Sequence, residues 1–116
     1  MPLTYYTNNV SATISLLQVM SDYDCTRIVY SSSATVYGTP PIIPIPETTR
    51  LKADSPYGKT KVMSEAIIED LCHGRPGFIL TQYRADPLAQ LSPSVGVPFR
   101  CATSSKYVFF SLGVDP

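Results

Sequence analysis

The sequence predicts an α/β fold, part of a doubly wound parallel sheet. Three observations predict it. Residues 9–22 and 54–73 carry apolar residues at spacings of three and four; each stretch is followed by a short apolar run, at 27–31 and at 78–83; and a long proline-rich connection separates the two units. The chain has 116 residues, 44% of them hydrophobic, which suits one small domain or part of a larger one.

In "NVSATISLLQVMSD" (9–22), Val10, Ile14, Leu17 and Met20 form an amphipathic helical stripe, and Asp22, Tyr23 and Asp24 close it. "RIVYS" (27–31) is short, mostly apolar and β-branched, the mark of a buried parallel strand. Prolines at 40, 41, 44 and 46, with 56 just beyond, make residues 38–54 a structured loop rather than a helix or central strand. Loops of this length inside compact domains are usually functional. In the second helix Ser55 suits the N-cap, Pro56 suits the first turn, and Met63, Ala66, Ile67 and Leu71 form the apolar stripe. Gly74, Pro76 and Gly77 stop it, and "FILTQY" (78–83) reads as another strand. Beyond Tyr83 no period is sustained, apart from a weak strand at "KYVFFS" (106–111).

Composition excludes several classes. Nine basic and nine acidic residues leave no net charge, so neither a nucleic-acid surface nor a polybasic anchor is expected. Cys25, Cys72 and Cys101 are scattered, no CxxC occurs, and His73 is the single histidine. A disulfide framework or metal site is therefore not expected, and a reducing, cytoplasmic compartment is. No signal peptide or membrane-length apolar run is present. "NVS" at Asn9 matches a glycosylation sequon, a tripeptide too common to carry weight.

Tyr57 and Lys61 lie four residues apart on the second helix, one turn apart on one face. A free phenol has a pKa near about 10, and a neighbouring ammonium favours its ionised form. The pair thus describes a tyrosine tuned for proton transfer, although any helix can show this spacing by chance. Ser31, Ser32 and Ser33 end the first strand, and Ser33 precedes Tyr57 by 24 residues (57 − 33). Serines there sit at the carboxyl edge of a parallel sheet, where open α/β folds hold ligands. The alternative is a serine cluster that only caps backbone groups.

"YYTNNV", "VYSSSATVYG" and "SPYGKTKVMSE" together resemble the extended short-chain dehydrogenase/reductases, and within them the UDP-glucose 4-epimerase (UDP-galactose 4-epimerase) family. The likeness covers about residues 5–73. It implies a Rossmann-like domain, NAD as cofactor, and UDP-galactose and UDP-glucose as substrates. Tyr57 would be the catalytic acid/base and Lys61 its electrostatic partner, also bonding the nicotinamide ribose. Ser33 would bond the sugar 4-hydroxyl, and Ser33, Ala34 and Thr35 would line the sugar pocket. Asn8 and Tyr83 match positions that contact NAD. The chemistry implied is oxidation at C4 to a 4-keto sugar and reduction from the other face. Related 4,6-dehydratases carry an Asp-Glu pair where this chain has Ala34 and Thr35. A homodimer is the family's usual assembly. A nucleotide-sugar decarboxylase or reductase, and a non-catalytic truncated product, remain as alternatives.

The chain departs from that pattern at both ends. Its six glycines, at 38, 58, 74, 77, 96 and 113, form no Gly-x-x-Gly-x-x-Gly turn. Residues 1–83 are therefore expected to be the central part of the NAD(P)-binding domain, lacking the N-terminal strands and the glycine-rich turn. Residues 84–116 are expected to be an atypical tail, non-native or disordered, with "RCATSSKYV" arising by frameshift or intron read-through. Without the turn, the chain on its own is expected to bind NAD weakly or not at all. Isothermal titration checks this, and tight stoichiometric binding is the opposing result.

Overall fold

A computed structural model of the chain describes residues 1–46, 48–85 and 108–110. Helix begins earlier than the periodicity predicts. Pro2, whose fixed φ suits a first turn, opens α1 (Pro2–Tyr5); a wider π-helical turn, Tyr6–Ser11, leads into α2 (Ala12–Asp22). Strand β1 (Arg27–Ser33) runs into a 3-10 helix (Ala34–Tyr37), and the proline-rich loop returns to α3 (Pro56–Gly74). Strands β2 (Ile79–Ala85) and β3 (Val108–Phe110) follow.

The sheet is parallel, in the order β2-β1-β3. Arg27 faces Ile79 at one end of the β1–β2 register and Ser33 faces Ala85 at the other. Alternation along β1 sends Ile28 and Tyr30 to the helix-covered face. There they join Leu17, Met20, Ile68 and Phe78 in one buried cluster. The α-β-loop-α-β order, with its strands parallel, is that of a partial doubly wound sheet, as the sequence predicts. The weak strand in "KYVFFS" also appears, as β3 on the free side of β1. The expectation of a non-native or disordered tail falls largely on residues outside those described.

Each expected apolar stripe holds in part: Leu17 and Met20 are buried and Ile67 and Leu71 pack against the core, but the rest of each stripe does not. On the first helix the buried residues are Asn9, Thr13, Leu17 and Met20, while Ile14 is 41% exposed. On α3 they are Gly58, Thr60, Lys61, Ser64, Glu65 and Ile68; Met63 is 43% exposed and Ala66 is exposed. The reason is a polar seam between the helices. Asn9 Nδ2 donates to Thr60 Oγ1 at 2.8 Å, and the hydroxyls of Thr13 and Ser64 meet at 3.2 Å. Thr13 also donates to the Asn9 carbonyl at 2.6 Å, and Thr60 to the Tyr57 carbonyl at 2.7 Å. Small polar residues that satisfy one another let the helices approach closely, and the larger apolar side chains turn outward.

Local signals at the second helix hold. Ser55 Oγ accepts from the Gly58 amide at 3.0 Å, with Pro56 in the first turn. At the far end Arg75 reaches the Ser21 carbonyl and Asp24, tying α3 to the end of α2.

The seam predicts an inversion of the usual ranking. Thr13→Val, which removes the buried hydroxyl that the Asn9 carbonyl and Ser64 share, should cost about 1–3 kcal/mol in urea denaturation. Ile14→Ala, one residue along, should cost less despite removing more apolar surface.

Candidate active site

The site lies where β1 ends and α3 begins. Ser33 is buried at the carboxyl end of β1, and its hydroxyl caps the 3-10 helix. Ser33 Oγ accepts from the Thr35 amide at 3.2 Å and from Thr35 Oγ1 at 3.0 Å. The capping alternative is thus true of Ser33, without excluding a ligand role. Ala34 and Thr35 are half-buried on that helix.

The proline-rich loop brings α3 back against this segment. Gly38 takes φ +62°, and the Lys52 amide donates to the Val36 carbonyl at 2.9 Å, closing the excursion. Gly58 then allows the close approach: a Cβ there would sit 2.7 Å from the Thr35 carbonyl oxygen. Glycine in "PYGK" is a requirement of packing, and it places the first turn of α3, with Tyr57, beside the Ser33–Thr35 turn.

Lys61 is 1% exposed. Its Nζ donates to the Ser31 carbonyl at 3.1 Å. It lies 5.3 Å from the centre of the Tyr30 ring and 5.6 Å from that of Tyr57, so the ammonium sits among two π-faces and a carbonyl. Burial pulls the Lys61 ammonium down to about 8, and the Glu65 carboxylate opposes this. Burial pushes the Tyr30 phenol up to about 12, with Ser64 beside it partly offsetting the rise. Tyr57 is half-buried, and Tyr5 packs against it edge-on, with ring centres 6.0 Å apart.

Tyr5 links Tyr57 to a cleft of about 240 Å³ lined by Met1, Thr4, Tyr5, Asn8 and Asn9. Asn8 is exposed there, whereas Asn9 is buried in the seam. Tyr83 lies on β2 opposite Ser31.

Sequence reasoning missed a second group of residues. Arg84, opposite Ser32 on β2, donates from Nε and Nη2 to the two Glu65 oxygens at 3.0 and 2.7 Å, and from Nη1 to the Tyr37 hydroxyl at 3.0 Å. This bidentate pairing raises the Arg84 guanidinium above its ordinary range. The signal available was Glu65 at Lys61 plus four; its partner is 19 residues away in sequence and carries no local mark. Among the described residues no group of His, Cys, Asp and Glu is placed to hold a metal ion.

The pKa of Lys61 sets a stability prediction. Its folded value lies below its ordinary 10.5, so the unfolded chain binds more protons between about 8 and 10.5. Stability should therefore rise with pH above about 8. Tyr30 acts in the opposite sense above about pH 10, where the unfolded phenol ionises first. Urea midpoints should climb from pH 8 to 10, and Lys61→Met should abolish the climb.

Related proteins share this sequence and fold. The family model described as GDP-mannose 4,6 dehydratase matches residues 1–83. A UDP-glucose 4-epimerase of Dictyostelium discoideum is 47% identical over 76 residues, which are 66% of this chain and 22% of that protein. UDP-glucose 4-epimerase 1 of Oryza sativa subsp. japonica is 49% identical over 84 residues, 71% of this chain and 24% of that protein. The chain thus spans less than a quarter of these relatives. The crystal structure of the Bifidobacterium longum UDP-glucose 4-epimerase, in complex with NAD+ and UDP, superposes with a TM-score of 0.68 at 40% identity. That match covers 72% of this chain and 25% of the other. With a family model spanning most of its length and these epimerases as relatives, the chain belongs to the GDP-mannose 4,6 dehydratase family of Rossmann-fold nucleotide-sugar enzymes.

Proposed function

We propose that residues 5–73 carry the proton-transfer machinery of an NAD-dependent UDP-glucose 4-epimerase, an isomerase that interconverts UDP-galactose and UDP-glucose through a 4-keto sugar. The observation that carries the reading is the buried Lys61 ammonium beside the Tyr57 ring, next to the Ser33 turn. The positive charge of the Lys61 ammonium favours the phenolate of Tyr57 and fits it to take the proton from the sugar 4-hydroxyl. Ser33 bonds that oxygen, and Ala34 and Thr35 form the wall of the sugar pocket.

The donor set fits one half of the cofactor. A phenol, an ammonium and the Asn8 carboxamide are suited to ribose hydroxyls and a carboxamide, so Tyr57, Lys61, Asn8 and Tyr83 would hold the nicotinamide end. No glycine-rich turn suited to the pyrophosphate occurs among the chain's six glycines. When bound, NAD supplies hydride transfer at C4 of the sugar. The family description names a dehydratase, but that reaction needs an acid and a base at carbon, and Ala34 and Thr35 provide neither.

The remaining parts of the reading follow from that substrate. The pathway is galactose metabolism, and the location is cytoplasmic, in keeping with Cys25 and Cys72 standing outside any disulfide. The exposed Ile14 and the partly buried Ile67 and Leu71 line one groove between α2 and α3. A second copy of the chain covers it in a homodimer.

Grafting residues 5–73 into the matching segment of one of the relatives tests the assignment. The graft should interconvert UDP-galactose and UDP-glucose, and Tyr57→Phe in the graft should lower kcat by about 10²–10⁴-fold. A folded graft without turnover, or one indifferent to Tyr57→Phe, removes the reading. The 116-residue chain assayed alone should show no turnover.

A further inference from the structure

Glu65 follows Lys61 by one helical turn, as Lys61 follows Tyr57, so the three lie along one face of α3. Glu65 is 2% exposed, and both its oxygens are engaged by the single Arg84 guanidinium. A buried ion pair of this kind is weak evidence for stability, since apolar residues of the same volume fill such space at least as well. The pair invites a role beyond packing, and its neighbour supplies one. Among the described residues, the charged and titratable groups placed against Lys61 include Tyr57 and Glu65 on α3 and Tyr30 on β1, with Arg84 of β2 behind Glu65. Of these, Glu65 is the one whose negative charge favours the ammonium.

We propose that Glu65 is a positioning residue for the Tyr57–Lys61 pair: its carboxylate, clamped by Arg84, keeps the buried Lys61 charged. The Tyr37 hydroxyl fixes the third guanidinium nitrogen, so the clamp joins β2, α3 and the helix that follows Ser33. Without Glu65 the burial of Lys61 acts unopposed, and the lysine gives up its proton more readily. Tyr57 then faces a neutral amine, which does not favour its phenolate. The inference rests on the assignment of Tyr57 and Lys61 as the proton-transfer pair, but its test does not use turnover.

The test is an NMR titration of the Lys61 side chain in the whole 116-residue chain, without cofactor or sugar, the signal being assigned by its loss in Lys61→Met. In the wild type the midpoint should lie near about 8. Glu65→Gln should lower it by on the order of one pH unit. A Glu65 that merely holds the fold together gives the opposite sign, because loosening exposes Lys61 and moves its midpoint up toward 10.5. Arg84 is 21% exposed and can turn to solvent once released, so the variant is expected to fold. Should it not, Glu65→Gln with Arg84→Gln leaves no unpaired charge and should again lower the midpoint. A midpoint that stays or rises in the variants, or a wild-type midpoint already near 10.5, overturns the proposal. Loss of the epimerase reading by the Tyr57→Phe graft leaves this titration unaffected, so the two fail separately.

Discussion

The rest of the structure is arranged around a charge taken out of water. An isolated ammonium in an apolar interior is prohibitively unfavourable, and a lysine there is tolerated only when groups are fixed around it. For Lys61 those groups come from different elements: the Ser31 carbonyl and Tyr30 ring from β1, the Tyr57 ring from its own helix, and the Glu65 carboxylate one turn on. The carboxylate in turn requires Arg84 from β2. Each requirement fixes one element against another. The same contacts that make the lysine tolerable therefore set how α3 lies across the sheet, and hence where Tyr57 stands relative to the end of β1.

This explains why α3 buries a polar face. Thr60, Lys61, Ser64 and Glu65 point inward, and the seam with Asn9 and Thr13 satisfies the hydroxyls that do not serve the charge. Ile14 and Met63 are left outside. A helix pair packed through small polar residues gains less from apolar burial than a conventional one. What it gains is closeness, because Thr and Ser carry little volume past Cβ. Gly58 extends the same logic to the Thr35 carbonyl.

The parts of this arrangement legible in the sequence are those with local causes. Ser55 as N-cap, Pro56 in the first turn, β1 and β2 as short apolar runs, and the one-turn spacing of Tyr57 and Lys61 each follow from residues near one another in sequence. Periodicity found Leu17, Met20, Ile67 and Leu71 but placed Ile14 and Met63 inside, since it presumes that the inward side is apolar, and α2 and α3 meet through a seam that is not. The helical start at Pro2 was hidden by "YYTNN", whose polar residues break the apolar pattern while remaining helical. Arg84 was illegible for another reason. Its meaning comes from Glu65 and Tyr37, 19 and 47 residues away, and only the fold brings them together.

For Ser33, capping does not preclude the proposed chemistry of the same hydroxyl. A serine oxygen has two lone pairs and one proton. The Thr35 amide and the Thr35 hydroxyl occupy the lone pairs, which leaves the proton to give. In the proposed reaction Ser33 is therefore a donor to the sugar oxygen, and its acceptor capacity is already committed to the turn. The proton leaving that oxygen must then pass to another group, and the phenolate of Tyr57 is the acceptor that α3 places beside this turn. In that proposal the cap divides the labour: with Ser33 saturated as an acceptor by Thr35, Ser33 would orient the sugar oxygen and Tyr57 would take the proton.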